Sequence, residues 1–201
     1  MLARVSNIEA YRKWQNWKPL FDGDEEPSLE DFVRSITTDE PSEKMMAGTA
    51  FHAAIENATY GSHDTFEAMG YRFILPDAEI ALPAIRELRA FKAYGGLSVT
   101  GKVDCLDGKV VEDHKTTSKI DFDRYLEGYQ WRFYLDVFEA DIFRWHLFQI
   151  TEQEPRVYRV SAPQVLEATR YPELHRDCAR MAEEYLDFAT RVGLPNSRIE
   201  D

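Results

Sequence analysis

Cysteine, long apolar runs and positive charge are what this sequence has least of, and each shortage narrows the reading. Cys105 and Cys178 are the only cysteines in 201 residues. That is too few for a disulfide framework or a four-cysteine iron–sulfur cluster, so no such cluster is expected and a reducing cytoplasm is the default. No apolar run approaches the length of a membrane span, so no membrane partner is expected. The first residues, Met1 to Trp14, lack the apolar core of a signal peptide. His63, His114, His146 and His175 match no zinc spacing and read as structural. Repeats, low-complexity segments and helicase or ATP-binding motifs are also missing. The net charge of −12 argues at first against a nucleic-acid partner. Its distribution weakens that argument. Asp22, Asp24, Glu25, Glu26, Glu30, Asp31, Asp39, Glu40 and Glu43 form one N-terminal run, whereas the central segment is nearly balanced, with Lys102, Lys109, Lys115, Lys119, Arg124 and Arg132 among its cations.

What is present suits one globular domain with a sizeable core, at 44% hydrophobic and 30% charged residues. The chain is organised around Ser98–Thr117, a valine-rich stretch with the hairpin signal Asp107-Gly108. A two-residue loop there pairs Leu106 with Lys109 and Asp104 with Val111. Alternation then sets Asp104, Asp113 and Lys115 on one face, with Lys102 opposite Asp113. Burying such groups is costly unless they are paired or hold a cation, and two close carboxylates repel until a divalent metal relieves them. The competing reading is a solvated hairpin face with a surface Asp–Lys pair, and the hairpin alone does not exclude it.

Taken in order, Ser6 caps a helix over Asn7–Trp17, and Ser28 opens a second to Ile36, with Asp31 in the capping-box position. These two helices read as an N-terminal appendage over residues 1–40. Pro41 suits the first turn of a third helix to Thr59, on which Gly48, His52 and Glu56 share a face. Strands are expected at Tyr71–Leu75, Glu79–Leu82, Ala84–Tyr94, Leu97–Leu106 and Lys109–Thr116. One helix is expected over Asp121–Glu139, a strand over Asp141–Ile150, and a further strand at Arg156–Val160. A long amphipathic helix is expected from Pro163 to Val192, with Tyr171-Pro172 as a candidate break. A helix between two strands makes a right-handed crossover to a parallel neighbour, giving an α/β fold with a mixed sheet flanked by helices, a core over 41–160 and a C-terminal helix over 163–192.

Four short motifs fall on these elements: Gly48-Thr49-Ala50-Phe51-His52 on the third helix, Gly101-Lys102-Val103-Asp104 and Asp113-His114-Lys115-Thr116 on the hairpin strands, and Gln130-Trp131-Arg132-Phe133-Tyr134 on the following helix. In this order they resemble the PD-(D/E)XK nuclease superfamily, in particular its RecB-like and phage exonuclease branch, from Gly48 to Ile150. The resemblance implies the restriction-endonuclease-like αβββαβ core. It implies His52, Asp104, Asp113 and the backbone carbonyl of His114 as ligands of Mg²⁺ or Mn²⁺, with Glu56 as a further ligand or a water-mediated contact. Lys115 would orient or activate the attacking water, and Gln130 and Tyr134 would support the site or touch DNA. The implied activity is metal-dependent DNA exonuclease action in recombination or repair. DNA ends or single strands are the partner, with a single-strand annealing protein and a second copy of the chain as further candidates. The alternative is a nuclease-fold DNA-binding or assembly protein without catalysis.

Overall fold

The computed structural model describes residues 1–19, 23–38, 41–58, 64–75 and 85–198. The expected strand at Glu79–Leu82 and His63 lie outside them. The chain opens with a short strand, β1 (Leu2–Arg4), and the first helix, α1 (Val5–Gln15). In α2 (Leu29–Thr37) the Ser28 hydroxyl accepts from the Asp31 amide at 3.1 Å and donates to its carboxylate at 2.7 Å, the capping arrangement expected from the sequence. In α3 (Glu43–Asn57) the cap is Ser42, so Pro41 stands just outside the helix rather than in its first turn.

The sheet is mixed. The strands β4 (Ile85–Tyr94), β5 (Leu97–Asp107) and β6 (Val110–Thr117) form an antiparallel meander, and β7 (Ile142–Glu154) returns parallel to β6 after the helical crossover. With β4 on one edge of β5, the other edge is shared by β1, parallel at Leu2–Ser98, and by β6. Beyond β7 the sheet continues through β8 (Val157–Val160), β3 (Tyr71–Ile74) and β2 (Thr65–Ala68), while β9 (Gln164–Thr169) pairs antiparallel with the N-terminal half of β7.

Two expectations are corrected here. The helix expected over Asp121–Glu139 is two, α4 (Phe122–Glu127) and α5 (Gln130–Val137), because the chain turns extended at Gly128. The helix expected from Pro163 begins only at α6 (Leu174–Val192). The residues before it pair with β7, where Trp145 opposite Leu166 and Phe143 opposite Ala168 outweigh the helical pattern.

Two apolar clusters cover the two faces of the sheet. The larger joins α1, α5 and α6 to the sheet through Ile8, Tyr11, Phe133, Tyr185, Val103 and Leu147, among others. Tyr11 stacks on Phe188 at 4.6 Å, and Trp14 on Phe32 at 4.9 Å. Among the described N-terminal residues, β1 completes an edge of β5, and α1 together with Phe32 of α2 supplies side chains to the larger cluster. The smaller cluster sets α3 on the opposite face, with Phe51 edge-on to Phe73 and Phe148, both at 5.1 Å.

Candidate active site

The site forms where β5 and β6 part. Their ladder pairs Asp107 with Val110, Leu106 with Val111 and Cys105 with Glu112, and goes no further. The loop is therefore Gly108-Lys109, two residues of register away from the expected pairing. Gly108 takes φ +56° at the first loop position, the placement that a II′ hairpin turn asks for. At Asp104 the pleat itself breaks: Gly101 lies against Tyr134 of α5, and Val103 and Leu106 both pack into the larger cluster, so simple alternation fails between them. Across from Asp104, Glu87 makes no ladder pair and holds φ +55°. Such strain in a non-glycine residue persists only where its surroundings fix it. Glu87 also pairs with Lys102 at 2.5 Å, so Lys102 is engaged there and is not the partner expected for Asp113.

At this break Asp104 is reached from β6 and from α3. One carboxylate oxygen accepts from the His114 amide at 2.8 Å, and the same oxygen lies 3.3 Å from His52 Nδ1 on α3. The candidate residues come from both sides of the sheet. Thr116 and Phe148 face α3, whereas Val111 and Leu147 belong to the α5 side. Asp113 and Lys115, in phase with Val111, lie on the α5 side, and His52 reaches in from the other. Gly48 has the close neighbour its place in a helix implies: an added Cβ would stand 3.4 Å from Thr116 Oγ1. Glu56, one turn beyond His52, is exposed.

Asp113 is 3% exposed. Its Oδ1 accepts from Lys115 Nζ at 2.7 Å, and its Oδ2 is buried with no hydrogen-bond partner. Burial pushes the Asp113 carboxyl above the usual carboxylate range; Lys115 opposes this and the Asp104 charge adds to it. Burial also pushes Asp104 upward, but the His52 hydrogen bond and charge, Lys115 and the His114 amide outweigh it and hold the acid below its ordinary value. Lys115 and His52 are both raised, because the carboxylates overcome the opposing effect of burial. Two neighbouring acids driven apart in this way are a pattern found where proton and charge chemistry is done. The His114 ring is pushed down to about 4 by burial and stacks on His146 at 5.1 Å, so the ring is a neutral packing element and only the backbone of His114 faces the site.

The helix α5 supports the strand from the other side. A Cβ on Gly101 would run into the Tyr134 ring, which is why this strand position takes glycine. The Tyr134 hydroxyl donates to the Lys102 carbonyl at 3.0 Å, and its ring stacks on Phe143 at 5.8 Å. Burial, then Asp113, pushes that hydroxyl up to about 12, while a hydrogen bond with the Gln130 side chain works the other way. Two contributors escaped the sequence reading. Glu87 carried no local signal. Glu9 accepts hydrogen bonds from the amides of Tyr129 and Gln130, more than a hundred residues away.

Among the described residues, no three His, Cys, Asp or Glu side chains stand close enough together to hold a metal ion. The carboxylates are instead engaged by Lys115 and by His52. The donor chemistry nevertheless fits a hard divalent cation, since two neighbouring carboxylates converge and one buried oxygen of Asp113 lacks any partner. No helix among the described residues is long and apolar enough to cross a membrane.

No protein-family model matches the sequence, and no curated protein matches it as a relative. Solved structures do. A protein from Eubacterium rectale provisionally named an exonuclease superposes with a TM-score of 0.53 at 14% identity, over 94% of this chain and 80% of that one. The fold is the restriction-endonuclease-like α/β core. Two further structures align at TM-scores too low to add to this: SSO0001 (0.49, 14% identity, 93% of this chain and 75% of that one) and a phage related exonuclease from Haemophilus somnus 129PT (0.35, 13% identity, 93% and 82%).

Proposed function

We propose that this chain is a Mg²⁺- or Mn²⁺-dependent deoxyribonuclease of the PD-(D/E)XK type, acting as an exonuclease on DNA ends or single strands in recombination or repair. The observation that carries the reading is the Asp104–Asp113–Lys115 group at the parting of β5 and β6, with one Asp113 oxygen buried and unpartnered. The fold likeness to a protein provisionally named an exonuclease supports it.

Asp104, Asp113, His52 and the His114 carbonyl would hold the cation. When bound, it would neutralise charge on the phosphate and acidify a water. The residues of the chain have separate tasks. Asp113 offers its free oxygen as a hard ligand. His52 and the His114 amide fix the orientation of Asp104 from both sides. The Lys115 ammonium, tethered to Asp113, places a compact positive charge beside the attacked phosphate and orients the incoming water. Tyr134 braces β5 at Gly101 and Lys102, so that the carboxylates keep their spacing, and Gln130 acts through that hydroxyl.

The test is digestion of end-labelled linear duplex, single-stranded DNA and closed circular DNA with Mg²⁺ or Mn²⁺. Loss of the linear substrates with the circle intact is expected. A wild-type protein that binds DNA yet cleaves none of them in either metal would make the chain a nuclease-fold binding or assembly protein instead.

A further inference from the structure

The crossover between β6 and β7 is broken at one point, and a residue from the far end of the sequence sits in the break. Gly128 is extended, with φ −62° and ψ 156°, and α5 starts immediately after it with Tyr129 in the capping position. Tyr129 provides no side-chain cap. The cap comes from α1: Glu9 Oε2 accepts from the Tyr129 amide at 2.6 Å and from the Gln130 amide at 3.2 Å. Glu9 is 6% exposed. Its other oxygen lies 3.5 Å from Arg12 and 3.6 Å from Lys13 on its own helix, so the buried charge is balanced as well as bonded. A Cβ on Gly128 would stand 3.2 Å from that oxygen and from the Tyr125 carbonyl, so the glycine leaves room for the carboxylate. A negative group at a helix N-terminus satisfies free amides and complements the helix dipole.

The first turn of α5 links this cap to the candidate site. Gln130 is the first residue of the helix, and Tyr134 lies one turn on, on the same face. Tyr134 in turn fixes Gly101 and Lys102 beside Asp104. Moving the start of α5 by even part of a turn would therefore move the brace on the strand that carries Asp104.

We infer that Glu9 is a positioning residue for the candidate site, acting through the first turn of α5 on Gln130 and Tyr134. The inference rests on the nuclease reading for its effect on cleavage, but not for its effect on structure. The experiment compares Glu9→Ala and Glu9→Gln with the wild-type chain by single-turnover cleavage of linear DNA in Mn²⁺, DNA binding in Ca²⁺, and amide hydrogen exchange. In Glu9→Ala, cleavage should fall on the order of ten- to a hundredfold, the scale of a misplaced supporting group, while DNA affinity stays within about twofold. Glu9→Gln, which keeps an acceptor oxygen in place, should recover most of the rate and serves where the alanine variant folds poorly. In a Gln130→Ala background, Glu9→Ala should add little further loss. The Tyr129 and Gln130 amides should exchange about tenfold faster or more without the carboxylate, with the amides of β7 unchanged. Unchanged protection of those two amides in Glu9→Ala overturns the inference whatever the cleavage does. Additive losses of rate with Gln130→Ala, or a rate that follows thermal stability alone, reduce Glu9 to a structural cap. A wild type that cleaves nothing overturns the nuclease reading and any role of Glu9 in cleavage, and the exchange still decides whether Glu9 sets the start of α5.

Discussion

Glu112 and Asp113 are consecutive on β6, both acidic and both buried, and they are treated in opposite ways. Glu112 has both oxygens engaged, one by Arg144 at 2.8 Å and the other by His146 at 3.2 Å, and Arg144 is further tied to Glu167 at 2.7 Å. The His146 hydrogen bond and the Arg144 guanidinium hold its carboxyl below the ordinary value. Asp113 has one oxygen on Lys115 and the other on nothing, and its carboxyl is pushed up. Folded chains satisfy nearly all buried polar groups, so an exception calls for an explanation. The pleat sends these two side chains to opposite faces of one strand. One face carries a closed ion network that steadies the sheet, and the other carries an acid left open. The closed acid has the structural pattern, and the open one is the better candidate for chemistry.

The sharpest way to break the comparison is to neutralise the open acid. Asp113→Asn should lower single-turnover DNA cleavage on the order of a thousandfold, the upper scale for losing one preorganised electrostatic group. Thermal stability should hold or rise, because the burial and the Asp104 charge that push this carboxyl upward outweigh its pairing with Lys115. An Asn variant that loses stability and activity in parallel would make Asp113 a structural acid like its neighbour. Next in size is the ammonium bonded to it. Lys115→Ala should cost about a hundredfold in cleavage while DNA binding in Ca²⁺ persists. Lys115→Arg should not rescue it, since a planar guanidinium does not replace a compact ammonium at a tight site. Cleavage unchanged in Lys115→Ala would show that the reacting centre lies elsewhere.

This division was partly visible in the sequence. Alternation along β6 puts Glu112 and Asp113 on opposite faces, and an error of two in the hairpin register leaves that unchanged. The turn moved from Asp107-Gly108 to Gly108-Lys109, a shift of two in the pairing, and an even shift leaves the faces of the β6 side chains unchanged. The β5–β6 hairpin, the parallel return of β7 and the presence of a strand at Val157–Val160 followed from turn residues and strand periodicity. What stayed hidden depends on distant partners. The break in the pleat at Asp104 is tied to Glu87 on the neighbouring strand, and the break at Gly128 to Glu9 on the first helix. The segment Gln164–Thr169 shows a helical pattern in isolation and becomes a strand because β7 offers it an edge. Local propensity cannot register a partner that only the assembled fold supplies.

A third prediction asks whether the open acid and its neighbour belong to a cation. If Asp104 and Asp113 share a divalent ion, Mn²⁺ at about a hundred times its dissociation constant should stabilise the fold by about 2.7 kcal/mol through linkage. In a chain of this size that corresponds to a rise of roughly 5–10 °C in Tm. Asp104→Ala should abolish the rise, whereas Glu112→Gln should leave it in place. The same rise in the Asp104→Ala protein would put the ion at another set of residues.

The smallest expected effect comes from opening the closed acid. Glu112→Gln keeps the shape of the side chain and removes its charge, leaving Arg144 with Glu167 and His146 with a weaker partner. A buried, charge-assisted bond lost in this way costs about 1–2 kcal/mol, or roughly 2–8 °C in Tm. The pH dependence carries the sign. The folded-state pKa of Glu112 lies below its ordinary value of 4.5, so the carboxylate contributes its stability in full above that value and loses it as pH falls through the depressed one. The gap in stability between wild type and Glu112→Gln should therefore be widest near neutral pH and close under acid. Cleavage, measured where both proteins are folded, should differ by less than about threefold, within what a stability change alone produces. A gap that ignores pH would mean that the Arg144 and His146 contacts contribute no net stability. A large loss of cleavage with the fold intact would mean that both faces of β6 serve the chemistry, and the contrast between its two acids would fail.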